Sequence, residues 1–314
     1  MAADAAGIAA AARLILAGEP VAVPTETVYG LAADATNGEA VARIYASKGR
    51  PSFNPLIVHC RDIAEAAAIA RLDATAQVLA TAFWPGALTI VAPLSGQGGI
   101  ADIVTAGLPT VALRVPAHPV MQALLDAVER PLAAPSANRS GRVSATTAAH
   151  VVSSLGRNIR LVLDGGPCPI GLESTIVAVD RDRIRLLRPG PIDAAAITGA
   201  TGKAVEAAPA GAIEAPGQLA SHYAPGKPLR LSVSQAEPDE FHLGFGAIPG
   251  DWSLSPDGDL VTAAARLFAG LHLAAASDRP RIAVAPIPRE GLGAAIADRL
   301  QRASAPASAF NRSA

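Results

Sequence analysis

The feature that most narrows the fold is an alternation of short β-branched runs with helical patterns over the first two hundred residues. A helical pattern over residues 5–17 gives way to the apolar run Val21-Ala22-Val23, which Pro24 stops. A helix over 39–47, a strand over 56–59, helices over 64–71 and 75–83, and strands over 88–94 and 111–115 follow. Next come a helix over 120–129, a short strand over 132–134, a helix over 146–155 and a strand over 161–163. Strands over 175–179 and 184–187 flank the charged turn Asp180-Arg181-Asp182-Arg183 as a hairpin. Mixed order of this kind predicts an α/β fold: a twisted mixed sheet flanked by helices, with some antiparallel strands.

From residue 201 the periodicity disappears into EAAPAGAIEAPGQLASHYAPGKP, rich in proline and glycine, which reads as a linker over 201–228. It carries Ser221-His222-Tyr223, which a passive spacer does not need. Strands over 229–233, 241–245 and 282–285, with helices over 260–275 and 292–303, then predict a smaller α/β domain over 229–314. The first domain is read as 1–200.

Half the residues are hydrophobic, so both domains can bury a core. Residues 74–101 carry no charge, but Pro85, Gly86, Pro93 and Gly96 break the stretch, which makes it core and not a membrane span. The N-terminus reads as an amphipathic helix and not a signal peptide, because Asp4 and Arg13 interrupt its apolar part. A net charge of −1 disfavours extensive nucleic-acid binding and leaves room for a local basic pocket. Cys60 and Cys168, far apart in sequence, read as reduced, packed thiols of a cytoplasmic protein.

Polar clusters recur where strands end. PTETVYG (residues 24–30) crowds Thr25, Glu26, Thr27 and Tyr29 into a loop after the first strand, where a threonine could equally be a helix cap. KGRPSFNPLIVH (48–59) sets Lys48 and Arg50 on a loop stiffened by Pro51 and Pro55, and period two puts Ile57 and His59 on one strand face. In TVALRVP (110–116) Thr110, Ala112 and Arg114 share a face; a strand arginine meets either an internal carboxylate or an anionic ligand. PSANRSGRVS (135–144) offers hydroxyls and backbone N–H groups ahead of a helix, a setting that suits phosphate oxygens. Glu173-Ser174-Thr175 and Arg188-Pro189-Gly190 bound the hairpin. No phosphate-binding G-x-x-x-x-G-K-[ST] loop, metal-ligand spacing or Ser/His/acid triad is present; Gly244-Phe245-Gly246 lacks the helix that a dinucleotide fingerprint requires. This inventory suits alignment of charged small molecules better than covalent catalysis.

Taken in order, PTETVYGL, SKGRPSFNPLIVH, FWPGALTIV, TVALRVP, PSANRSG, STIV and LRPGPI resemble the YrdC-type L-threonylcarbamoyladenylate synthases. HYAPGKPL, GFGAIPGDWSLSPDGDL and IPREGLGAAIADRL resemble the C-terminal, Rossmann-like domain of that family's longer form. The resemblance implies a nucleotidyltransferase that makes threonylcarbamoyl-AMP and pyrophosphate from L-threonine, bicarbonate and ATP, with Mg²⁺ accompanying ATP and no tightly held protein-ligated metal. It implies a separate transferase that modifies an adenosine beside the tRNA anticodon, leaves direct tRNA contact open, and involves no membrane. It places Thr27, His59, Arg114 and Ser174 on threonine, with Arg114 on the carboxylate. Lys48, Arg50, Asn54, Thr110, Ser136, Asn138, Ser144, Arg188 and Tyr223 fall on ATP; Lys48 and Arg50 take the catalytic role, and Tyr223 also folds over the site as a lid. An RNA-binding or ribosome-maturation factor using the same basic cavity is the alternative, and a hydrogenase-maturation carbamoyltransferase is disfavoured by the scarcity of cysteines.

Overall fold

Short polar side chains set where helices begin. Asp4, Asn37, Asp62, Asp73, Thr147, Asp193 and Asp259 each accept a hydrogen bond from a backbone N–H of the first turn they precede. The computed structural model describes residues 1–306 apart from 97, 182, 210–213, 219 and 220. Its helices are α1 (Ala5–Leu16), α2 (Gly38–Lys48), α3 (Ile63–Ile69), α4 (Ala74–Phe83), α5 (Asp102–Thr105), α6 (Pro119–Val128), α7 (Ala148–Leu155), α8 (Ala194–Thr201), α9 (Leu260–Ala276) and α10 (Leu292–Ser304). The strands of the first domain are β1 (Val21–Val23), β2 (Gly30–Asp34), β3 (Ile57–His59), β4 (Leu88–Pro93), β5 (Thr110–Arg114), β6 (Leu132–Ala133), β7 (Thr175–Asp180), β8 (Arg183–Arg188) and β9 (Val205–Ala207). Those of the second are β10 (Leu229–Arg230), β11 (Glu240–Gly244), β12 (Trp252–Ser253) and β13 (Arg281–Val284).

The first nine strands form one mixed sheet in the order β1-β2-β6-β3-β5-β4-β7-β8-β9. Parallel pairs β3/β5, β4/β7 and β8/β9 are set among antiparallel ones, as the alternating pattern predicts. Three differences from the sequence reading stand out. β2 escapes it because Gly-Leu-Ala-Ala-Asp has little β-branched character; its five residues are held by complete burial. Residues 161–163 form no strand, only an isolated bridge from Val162 to Ala22. The first sheet also extends past residue 200, since β9 pairs with β8 inside the stretch read as linker. The second sheet, β10-β13-β11-β12, is parallel throughout.

α1 and α6 close one face of the first sheet through Ile15, Met121, Leu124 and Leu125. The second domain's core is not its own alone. Leu267, Phe268, Leu271, Ile296 and Leu300 pack in one cluster with Val28, Val143, Leu172 and Tyr223 from the first domain and the linker. His150 of α7 stacks on His272 of α9 with ring centres 3.9 Å apart, and His272 Nε2 donates to Ser144 O at 3.0 Å. Cys60 and Cys168 are free and buried. No helix among the described residues is long and apolar enough to cross a membrane.

Because Phe268 lies in the seam between domains, Phe268→Ala is expected to destabilise the protein by about 3–5 kcal/mol. A urea titration should show the midpoint falling; an unchanged midpoint would mean that the seam is not a stabilising core.

Candidate functional site

The strand register brings the polar clusters to one end of the first sheet. β3 and β5 run parallel with His59 opposite Arg114, and β7 and β8 run antiparallel with Ile176 opposite Arg188. Ser174, just before β7, therefore lies beside Arg188, whose Nη2 donates to Ser174 O at 2.8 Å and Oγ at 3.1 Å. The loop 25–28 covers one side and Ala134-Pro135-Ser136 another. Gly190 allows the crossing of the two arms, since a Cβ there would sit 2.4 Å from Thr175 N.

Of the thirteen residues singled out from the sequence, eight line one cavity: Thr27, Arg50, His59, Arg114, Ser136, Ser174, Arg188 and Tyr223. The other five do not. Lys48 is buried behind it, its ammonium donating to Ser136 O at 2.5 Å and to Asn138 O, so it braces the PSANRSG loop. Burial, and then the neighbouring Arg50 charge, hold the Lys48 pKa well below its usual value. Asn138 ties that loop through Arg139 O and Arg142 O. Asn54 presents its backbone carbonyl to Arg50 Nε at 3.1 Å. Thr110 pairs with Pro93 at the opposite end of β5. Ser144 donates through Oγ to Glu173 Oε1 at 2.5 Å.

Three arginines face the cavity in two different states. Arg50 and Arg188 donate mainly to backbone carbonyls, Asn54 O and Pro55 O for one and Ser174 O and Pro216 O for the other. Carbonyls satisfy the N–H groups without cancelling the charge. Burial nevertheless lowers the Arg50 pKa to about 10. Arg114 meets the internal carboxylate that the sequence left open: Nη2 reaches Glu26 Oε1 at 2.5 Å, Nη1 reaches Thr27 Oγ1 at 2.9 Å, and Nε reaches Gly86 O at 3.0 Å. Burial pushes the Glu26 pKa up, but the Arg114 charge and hydrogen bond outweigh it and hold it below the usual value. Glu26 Oε2 has no partner.

The linker closes the top through Pro216, Gly217, His222 and Tyr223. Gly217 has φ +85, and a Cβ there would come within 2.9 Å of Arg188 Cδ, so only glycine lets the segment lie on that arginine. Tyr223 is strained at φ +61 and buried, with no partner for its hydroxyl. The open space beneath is about 50 Å³. Sites for drug-sized or larger ligands hold roughly 300–1,000 Å³, so this is a closed arrangement.

Glu26, Glu173, His222 and Arg299 complete the site and were not assigned from the sequence. One signal for Arg299 was available: it falls on the apolar face of α10 with Ile296, Leu300 and Ala303, where a charge needs a partner. Among the described residues no group of three or more His, Cys, Asp or Glu side chains could hold a metal ion. Glu173, which lines the cavity, pairs with Arg299, and Glu26 beside it pairs with Arg114. The RNA-binding alternative needs cations on a surface, whereas Arg50, Arg114 and Arg188 are 9%, 3% and 4% exposed.

Residues 13–190 match the family model described as "Telomere recombination", and residues 191–305 match "Threonylcarbamoyl-AMP synthase, C-terminal domain". The chain is 39% identical to the threonylcarbamoyl-AMP synthase of Bacillus subtilis, over 95% of this chain and 92% of that one. It is 37% identical to the Pyrococcus abyssi protein of the same name, over 94% and 93%. The crystal structure of P. abyssi Sua5 complexed with L-threonine superposes with a TM-score of 0.87 at 35% identity, covering 95% of this chain and 94% of that one.

Burial holds the pKa values of His59 and His222 down from 6.5 to about 3. The unfolded chain therefore binds more protons than the folded one between those values, and stability should fall as pH drops through that window. Urea midpoints measured from pH 7 to 4 are expected to decline, and His222→Gln should flatten the decline. An equal slope in the variant would mean that His222 already titrates normally in the fold.

Proposed function

Because the chain belongs to the threonylcarbamoyl-AMP synthase family and carries both of its domains, we propose that it is a nucleotidyltransferase. In this reading it joins L-threonine, bicarbonate and ATP into threonylcarbamoyl-AMP and pyrophosphate. The threonine amine forms an N–C bond to bicarbonate, which loses water to leave a carbamate, and a carbamate oxygen then attacks the α-phosphorus and displaces pyrophosphate. The observation that carries the reading is the convergence of Arg50, Arg114 and Arg188 on one enclosed cavity with Thr27, His59 and Ser174.

Arg114, with Thr27 beside it, takes the threonine carboxylate, which then shares the guanidinium with Glu26. Arg50 and Arg188 keep their charge uncancelled and take the phosphates, where a water-poor setting strengthens each contact. Lys48 acts by fixing the Ser136–Asn138 loop. His59 and His222, neutral at physiological pH, donate or accept hydrogen bonds without adding charge. Magnesium carried on ATP would offset phosphate charge there, beside Arg50 and Arg188. Tyr223 and the linker open for entry and close before the chemistry, which keeps water from the carbamate and the adenylate. The product passes in the cytoplasm to a separate transferase that modifies the adenosine next to the anticodon of tRNA.

Incubation of the protein with threonine, bicarbonate and Mg-ATP should release pyrophosphate, with the rate depending on all three. Release that is indifferent to threonine or bicarbonate would sink the reading. Arg114→Ala should raise the KM for threonine by about 10–100-fold, the loss expected for a charge-assisted hydrogen-bonded pair. Arg50→Ala should act on the KM for ATP instead, and an unchanged threonine KM in the Arg114 variant would remove that residue from the threonine subsite.

A further inference from the structure

One charged side chain of the second domain is buried against the first. Arg299, on α10, is wholly buried. Its Nε donates to Glu173 Oε2 at 2.8 Å, and its Nη1 donates to Pro189 O at 2.9 Å and Asp298 Oδ2 at 2.8 Å. Glu173 lines the cavity, and its other oxygen accepts from Ser144 Oγ at 2.5 Å. Both carboxylate oxygens are thus occupied.

Arg188 lies near enough for its charge to act on Glu173, yet it makes no ion pair with it. It donates to Ser174 O, Ser174 Oγ and Pro216 O. The Arg114–Glu26 pair shows what happens in this cavity where no outside cation intervenes: the carboxylate closes on the guanidinium. A buried carboxylate without its cation seeks the nearest alternative, because leaving it unpaired is costly. For Glu173 that alternative is Arg188, and such a pair would compete with any anionic ligand for the same N–H groups.

We propose that Arg299 is a positioning residue: by holding Glu173 against Ser144 it keeps Arg188 free of a carboxylate, so the second domain sets the anion affinity of the cavity in the first. This inference rests on reading the cavity as the nucleotide site. It gives the second domain a role in the chemistry that needs no contact with substrate, and it predicts that the two charges of the pair are interdependent.

Isothermal titration with a non-hydrolysable ATP analogue reads that affinity without turnover. Arg299→Met is expected to bind the analogue at least about tenfold more weakly, since Glu173 then competes with the phosphates for Arg188. Glu173→Gln should bind it about two- to fivefold more tightly, because Arg299 then adds uncancelled charge. The double variant should return to within about threefold of the parent, the non-additivity of a coupled pair. A double variant as weak as Arg299→Met would overturn the proposal and leave Arg299 a packing residue. Weaker binding by Glu173→Gln would overturn it too, and that variant decides the matter if Arg299→Met does not fold. A parent protein that binds the analogue but releases no pyrophosphate with threonine and bicarbonate would overturn the functional reading and leave this one standing.

Discussion

Guanidinium charge held where water barely reaches is the condition around which the first domain is arranged. Arg50, Arg114 and Arg188 are all nearly buried, and each needs acceptors for its N–H groups. Carboxylates on all three would satisfy those groups and neutralise the cavity at once. The chain mostly uses carbonyl oxygens instead, and these come from loops bent sharply enough to aim them. Pro51 and Pro55 bracket the turn that points Asn54 O and Pro55 O at Arg50. Prolines read as stiffeners of a cationic loop thus shape the acceptors and not the cations. Lys48 belongs to the same scheme one layer out, holding the carbonyls of the Ser136–Asn138 loop.

Much of this was legible in the sequence, for identifiable reasons. Period two placed His59 and Arg114 on inward faces, and hydrogen-bond register then put them opposite each other. Clusters at strand ends predicted a shared site because strands of one sheet end together. Other parts were hidden for reasons equally physical. β2 carries no strand signature because burial, and not propensity, keeps it extended. Lys48 and Ser144 have residue types that suit a phosphate, and only coordinates reveal their bonds within the protein, Lys48 to the Ser136 and Asn138 carbonyls and Ser144 to Glu173. Glu173 and Arg299 lie 126 residues apart, and no local pattern ties a carboxylate before a hairpin to an arginine near the end of the chain.

The two domains are consequently less separable than a linker between them suggests. Val28, Val143 and Leu172 belong to the core of the second domain, next to residues that line the cavity. His272 donates to Ser144 O, and Arg299 donates to Glu173, which accepts from Ser144 Oγ. α9 and α10 therefore act on the floor of the site as directly as the loops of the first domain do.

Tyr223 carries the same arrangement into energetics. Its ring belongs to the second domain's apolar cluster, 5.5 Å from that of Phe268 and beneath the Arg299 guanidinium. Withdrawing it into water would expose roughly 150 Å² of mostly apolar surface, which at about 25 cal/mol per Å² costs up to about 4 kcal/mol. At equilibrium the uncovered form is then on the order of one molecule in a thousand. Any ligand that enters only through that form associates more slowly by the same fraction, while its affinity is set by the closed form that holds it. The tightness of the seam between the domains thereby governs how fast substrate enters, in part through residues such as Phe268 that lie outside the cavity.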